Sequence, residues 1–296
     1  MNLSLNMEYS DHEIKQALDS MGDLKAPGAD GMPALFYKQF WETVGDDVIR
    51  EVKSLLAGGK MLQGWNDTVV VLIPKVACPE RLKDLRPISL CNVVYKIASK
   101  VLANRLKVIL PYIISLNQSA FVPGRMIIDN VLLAYELTHH LQNKKKGVQG
   151  LAALKLDMSK AYDRVEWEFL RRMMCKLGFH QRWVDVVMQC VKTVTYRIKV
   201  NGEHTEQIVP ERGLRQGDPL SPYLFLICAE AFSCLLNAAE ARGELTGVKI
   251  CRGAPSINHL LFADDSLLLF QINDQSAGHL QNVLSLYENC SGQLVN

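Results

Sequence analysis

The 296-residue chain predicts an α+β fold, and three observations carry that reading. Several segments place apolar residues at helical spacing. Two apolar runs, TVVVLIPK (68–75) and LAALKLDM (151–158), read as buried strands. Two further segments, TYRIKVNGEHTEQIV (195–209) and HLLFADDSLLLF (259–270), read as hairpins. The composition agrees: 48% hydrophobic and 22% charged residues suffice for a buried core and exclude wholesale disorder. Nineteen glycines and eleven prolines are too few for a fibrous or low-complexity chain, and no internal repeat is visible.

The elements follow in order. Ser10 with Glu13 is a capping-box pattern, and Ile14, Leu18 and Met21 continue it as an amphipathic helix over 10–21. LKAPGADGMP (24–33) is a Gly/Pro loop; no GK[ST] follows it, so it is not a P-loop. Residues 34–57 read as one helix with Phe36, Phe40, Trp41 and Val44 on one side. Pro74 stops the 68–75 strand. A long helix fits 92–110, with Val94, Ile97, Val101 and Leu102 opposite its lysines. FVPGR (121–125) breaks the chain, and 126–142 is again helical. The 151–158 strand ends at Asp157. Val165, Phe169, Met173 and Leu177 define a helix that Gly178 stops. Asn201-Gly202 is a strong two-residue hairpin turn. Asp218-Pro219 reads as N-cap and first turn of a helix reaching about Arg242. Asp264 and Asp265 fall at the tip of the last hairpin, and Leu280, Val283, Leu284 and Tyr287 mark a closing helix.

Charge and composition narrow the classes. The net charge is only +2, yet residues 71–110 hold eight basic side chains (Lys75, Arg81, Lys83, Arg86, Lys96, Lys100, Arg105, Lys107) against Glu80 and Asp84. Such a band is either a solvated helix face or a surface for a polyanion. The longest apolar stretch, 223–239, is interrupted by Glu230 and falls short of the ~20 residues of a membrane span. No signal-peptide pattern opens the chain. Eight cysteines form no CxxC pair, and their settings suggest reduced thiols on buried helix faces and no zinc site. An intracellular, non-secreted protein is expected.

Three aspartates stand in unfavourable surroundings. Asp157 ends an apolar strand, and Asp264 and Asp265 lie side by side within apolar sequence. Buried like charges are costly unless neutralised. Singly, each has an ordinary explanation: a strand-end cap for Asp157, a turn choice for the pair. Together, a strand ending in Asp and a later β–Asp-Asp–β hairpin form the pattern by which polymerases gather carboxylates around two hard cations ~4 Å apart. Asp163 and Asp218 precede helices, where an N-cap role suffices.

Ordered blocks then make a family resemblance specific. APGADGMPALFYKQFW (26–41), LIPKV (72–76), LRPISLCNVVYKIASKVLANRLK (85–107), QSAFVPGRMIIDN (118–130), LKLDMSKAYDRVEW (154–167), NG…RGLRQGDPLSPYLF (201–225) and HLLFADDSLLLF (259–270) cover nearly the whole chain. It resembles the reverse transcriptase domain of plant LINE-type (non-LTR) retrotransposons. The resemblance implies an RNA-directed DNA polymerase with a right-hand architecture: fingers over 1–150, an antiparallel palm sheet within 151–296, and the thumb absent. SGQLVN (291–296) looks like the start of the next family block.

The same resemblance implies roles. Asp157, Asp264 and Asp265 are the catalytic, metal-binding carboxylates, with the Met158 carbonyl as a further ligand; two Mg²⁺ ions are the cofactors, with Mn²⁺ as a substitute. Tyr162 is the aromatic gate under the sugar, where most relatives outside plants have Phe; a helix-start core aromatic is the plainer alternative. Gln216 and Gly217 pack against the incoming nucleotide. Lys75 and Arg86 hold the dNTP triphosphate, unless Arg86 merely caps an RPISL turn. RNA template, DNA primer and dNTPs are the implied partners, without a membrane. The basic band and Lys144–Lys146 are candidates for duplex contacts. The nucleus is the implied compartment, although Lys144–Lys146 is too short for a targeting run. A remnant that binds nucleic acid without polymerising is the alternative; a two-metal nuclease or cyclase ranks last, because the fingers-type basic block is present.

Overall fold

Ser10 accepts a hydrogen bond from the Glu13 amide while the Glu13 carboxylate accepts one from the Ser10 amide, and this reciprocal cap starts α2 (Asp11–Asp19). α1 (Asn2–Asn6) precedes it. The computed structural model describes residues 1–144, 150–273 and 275–296. They divide into two units: Met1–Leu106 with Met174–Ser221, and Lys107–Met173 with Pro222–Asn296. The units interleave along the chain.

In the first unit the helix expected over 34–57 is two helices, α3 (Ala34–Gln39) and α4 (Trp41–Leu56), parted at Phe40. Phe40 is half exposed and rests on the Phe36 ring at 5.3 Å. β1 (Asp67–Pro74) pairs antiparallel with β2 (Leu85–Cys91) and parallel with β4 (Thr195–Val200); β5 (Glu203–His204) closes the order β2-β1-β4-β5. The β1–β4 pair is parallel, so this sheet is mixed. Thr68, Val69 and Val70 are consecutively buried, as both faces of β1 are covered. Asn201 and Gly202 at φ 51° and 91° make the β4–β5 turn, both positive as a type I′ turn requires. α8 (Gln181–Lys192) was not foreseen from the sequence, though Trp183, Val184, Val187 and Val191 recur at helical spacing and are buried.

α5 (Val93–Ile113), α7 (Trp167–Lys176) and α9 (Ser221–Ala241) run across the division of the chain. In the second unit β3 (Gly150–Leu156), β7 (Asp265–Ile272) and β6 (His259–Phe262) form an antiparallel sheet in the order β3-β7-β6. α6 (Ile127–Asn143) packs on it through Leu137, which joins Val248, Leu260 and Leu269 in one apolar cluster. α10 (Ser276–Ser291) follows. Among the described residues α9 is one helix long and apolar enough to cross a membrane, so the span-length expectation is corrected. Phe225, Leu226, Ile227, Phe232 and Leu236 of α9 are buried. The cysteine expectation is corrected too: Cys91, Cys190 and Cys228 are buried, whereas Cys78, Cys175, Cys234, Cys251 and Cys290 are exposed. All eight are free thiols.

Candidate active site

In the second unit, β6 and β7 meet with Phe262 opposite Asp265, leaving Ala263 and Asp264 as the turn. Antiparallel register brings β3 alongside β7, Leu156 opposite Ser266, so Asp157 follows the strand end nearest that turn. Burial raises the Asp264 carboxyl above its ordinary range, and the charges of Asp265 and Asp157 add to the effect. These are crowded carboxylates.

Asp265 also has a partner of its own. Its carboxylate pairs with Lys155 at 3.3 Å, and both side chains are more than half exposed. It also lines a 430 Å³ cavity with Ile127, Val131, Lys155 and Phe262; Asp157, Asp264 and Tyr162 are not in that lining. Among the described residues no group of three or more His, Cys, Asp or Glu is close enough to hold a metal ion. The donor chemistry at Asp157 and Asp264 nonetheless suits a hard divalent cation: oxygen ligands whose mutual repulsion a cation would relieve.

The chain after Asp157 is held by the last residues. Asn296 donates from its amide to the Asp157 carbonyl at 3.0 Å, and Ser159 donates to the Leu294 carbonyl at 2.8 Å. Met158 bridges Val295, and neither of those bonds uses its carbonyl. The Gln293 side chain donates to the Ala161 carbonyl at 2.8 Å. Gly292, at φ 78°, leaves no room for a Cβ, which would meet the Arg164 carbonyl at 2.5 Å. The SGQLVN segment therefore shapes the Asp157 loop, a role the sequence reading missed. Asp163 is corrected as well: α7 begins four residues later, at Trp167, so it is not an N-cap.

Tyr162 lies in this unit. Its ring stacks on buried Phe225 at 5.0 Å and 10°. Burial pushes its hydroxyl pKa up, with the Asp264 charge as a second cause, so the phenol stays neutral.

The other residues expected to contact a nucleotide, Lys75, Arg86, Gln216 and Gly217, lie in the first unit. Arg86 stands opposite Ile73 in the β1–β2 ladder, and Lys75 follows two residues later on the same face. Both are exposed. The Lys75 ammonium donates to the Lys83 carbonyl at 3.3 Å. RPISL is strand, not turn, so a turn-capping role for Arg86 is excluded. The Gln216 carbonyl accepts from the Ser89 amide at 2.9 Å. Gly217, at φ 109°, brings its backbone to β2 so closely that a Cβ would lie 3.0 Å from the Ser89 carbonyl.

Between Gln216 and Pro219 the local reading fails at Asp218. It does not cap α9, which begins at Ser221. It is buried and pairs with Arg215 at 2.7 Å, while Tyr95 and Ser99 donate hydroxyls to it at 2.6 and 2.5 Å. Arg215 also donates to Asn66, to Thr68 at 3.3 Å and to the Cys190 carbonyl at 3.1 Å. This network anchors the RQGDP loop, and no local pattern announces it.

Residues 73–294 match the family model for "Reverse transcriptase (RNA-dependent DNA polymerase)". The chain belongs to the reverse transcriptase family. It is 34% identical over 259 residues to the transposon TX1 149 kDa protein of Xenopus laevis, covering 88% of this chain and 19% of that protein. It is 29% identical over 263 residues to the Pol polyprotein of the type-1 retrotransposable element R2 of Nasonia vitripennis, covering 87% and 24%. A 67-residue stretch is 52% identical to the mitochondrial protein AtMg01250 of Arabidopsis thaliana, covering 23% of this chain and 55% of that protein. The chain thus spans a fifth to about half of these relatives' length. Its fold matches the Candida tropicalis telomerase, solved with a fragment of telomeric RNA, at a TM-score of 0.54 and 12% identity, covering 87% of this chain and 44% of the telomerase chain. For a reverse transcriptase, acidic residues at a hairpin tip beside a strand end, in one unit with Tyr162, are suited to phosphoryl transfer chemistry.

Proposed function

We propose that this chain is the fingers and palm part of a retrotransposon RNA-directed DNA polymerase, extending a DNA primer on an RNA template. The observation that carries the reading is Asp157 at the end of β3 beside Asp264 in the β6–β7 turn, within a chain whose family model spans 73–294. The 52% identity to an Arabidopsis protein over 67 residues, against 34% and 29% to the animal proteins over longer stretches, supports a plant-type element. In this reading the second unit contains the palm, and the β1–β2 ribbon and the RQGDP loop belong to the nucleotide-holding fingers side. The basic band would grip the RNA–DNA duplex through phosphates and shape; Lys145 and Lys146 lie outside the described residues. Nuclear action follows from the same reading.

Asp157 and Asp264 would hold a divalent cation, with the Met158 carbonyl and Asp265 as further candidate ligands. When bound, Mg²⁺ supplies charge stabilisation for the transferring phosphoryl group and lowers the pKa of the attacking hydroxyl. The protein supplies positioning and cations. Exposed Lys75 offers a point charge and Arg86 a planar fork to a triphosphate. Gln216 and Gly217 present a backbone pinned to Ser89. Primer extension by the 296-residue chain on an RNA template, with Mg²⁺ or Mn²⁺ and dNTPs, tests the reading. Template-dependent product supports it; duplex binding with no extension under either metal refutes it in favour of a remnant that only binds.

The Tyr162–Phe225 stack fixes one edge of the sugar gate we propose. Discrimination by a gate rests on repulsion of the 2′-hydroxyl. Tyr162→Val should raise ribonucleotide incorporation relative to dNTPs by about tenfold or more, and Tyr162→Phe should leave the ratio unchanged. Competition assays with matched rNTP and dNTP read the ratio directly. An unchanged ratio in an active Tyr162→Val protein assigns Tyr162 to the core alone.

A further inference from the structure

We propose that Gln118 is the positioning residue of the catalytic hairpin, holding the Ala263–Asp264 turn in its working conformation. The inference builds on the polymerase reading, but its geometry lies wholly within the second unit. Gln118 is 1% exposed. Its side-chain carbonyl accepts two amide hydrogen bonds, from Ala120 at 2.9 Å and from Ala263 at 3.0 Å. Ala263 is the residue before Asp264 and has φ 54°, a conformation that alanine seldom adopts without outside support.

The surrounding bonds bring Gln118 into register with the hairpin. Gln118 bridges Leu261 in parallel, Ser119 donates to the Leu261 carbonyl at 3.1 Å, and Leu261 donates to the Asn117 carbonyl at 2.8 Å. The Asn117 side chain donates to the His259 carbonyl at 2.8 Å. Asn130 donates to both Asn117 and Leu261 carbonyls, at 3.2 and 3.1 Å. Residues 117–119 thus extend the sheet beside β6, and Gln118 reaches past the end of that strand to the turn.

The amide's other half points to the same role. Among the described residues, Gln118 Nε2 is buried without a hydrogen-bond partner. Exchanging the oxygen and nitrogen would aim the NH₂ at two amide donors, so the orientation is set by the carbonyl. A buried donor left unsatisfied is disfavoured. The glutamine is therefore placed here for its acceptor, and that acceptor reaches the residue adjoining Asp264.

Three variants separate positioning from packing. Gln118→Met keeps length and volume but has no acceptor. Gln118→Glu, protonated in so buried a place, keeps the carbonyl and replaces the unpartnered NH₂ by a hydroxyl. Gln118→Met/Ala263→Gly removes the acceptor but places at 263 a residue that adopts positive φ unaided. Amide hydrogen exchange of 260–266 and Mn²⁺ affinity by water-proton relaxation read the turn without any requirement for activity. Gln118→Met should speed exchange in the turn, weaken Mn²⁺ binding about tenfold or more, and lower kcat about 10–100-fold with little change in the dNTP KM. Gln118→Glu and the double variant should each recover most of the metal affinity. Wild-type exchange and Mn²⁺ affinity in Gln118→Met overturn the proposal, as does Gln118→Glu impaired equally with Gln118→Met. If Gln118→Met fails to fold, the double variant decides: recovered folding and Mn²⁺ affinity in Gln118→Met/Ala263→Gly support the proposal, and no recovery there overturns it. Failure of the wild-type chain to extend primers would defeat the polymerase reading, while the exchange and Mn²⁺ measurements would still judge Gln118.

Discussion

Asp264→Asn should abolish primer extension while making the metal-free protein more resistant to heat. The first effect follows from the electrostatic task. Charge stabilisation by a bound metal is worth several kcal/mol, and about 1.4 kcal/mol is tenfold in rate, so losing a principal ligand should lower kcat about a thousandfold or more. The second follows from the raised Asp264 pKa, caused first by burial and then by Asp265 and Asp157. A carboxyl whose folded pKa lies above its unfolded value favours the native state when protonated and opposes it when ionised. The wild type therefore carries a penalty at neutral pH that fades as pH falls through the raised pKa. In EDTA, Asp264→Asn should melt above the wild type near pH 7, and the difference should shrink on acidification toward the ordinary carboxylate range. Adding Mg²⁺ should stabilise the wild type and leave Asp264→Asn unmoved. Calorimetry at several pH values checks each part. A variant that retains activity would move the metal site away from the hairpin.

Asp218→Ala should strongly destabilise the first unit, and the size of the effect distinguishes two accounts of this residue. As a helix N-cap, the role local sequence suggests, its loss would cost about 1 kcal/mol. As the acceptor of a buried network it should cost about 3–5 kcal/mol, because Arg215 is left as an uncompensated buried charge. The Tyr95 and Ser99 hydroxyls and the Leu220 amide lose the same acceptor. Arg215→Met should be similarly severe, and Arg215→Met/Asp218→Leu should recover part of the loss, as replacing both partners of a buried pair is milder than removing one. Urea titration followed by tryptophan fluorescence suits the test, since Trp41, Trp65 and Trp183 all lie in the first unit. A loss near 1 kcal/mol for Asp218→Ala would return the residue to a capping role.

These two aspartates show how far a sequence can be read. Asp264 was legible because its signal is local: two carboxylates between apolar runs with hairpin alternation. The capping box of α2 and the Asn201-Gly202 turn were legible for the same reason, since each is decided by a few adjacent residues. Nothing around Asp218 reveals that Tyr95 and Ser99, more than a hundred positions earlier, close over it. β2 was hidden by Pro87, which reads as turn chemistry but is tolerated in this strand at the edge of the β2-β1-β4-β5 sheet.

The amino-acid order by itself determined the α+β class, the two hairpins, the place of Asp264 in a hairpin turn and, through many blocks in fixed order, the family. Tertiary structure alone decided that β4 lies parallel to β1, that Lys155 pairs with Asp265, that SGQLVN cradles the Asp157 loop, and that Gln118 meets Ala263. The physical reason is range. Turns, caps and periodic apolar faces are free-energy preferences within a few residues, whereas strand partners, buried ion pairs and side-chain acceptors are chosen by whatever distant segment packing brings within about 3 Å.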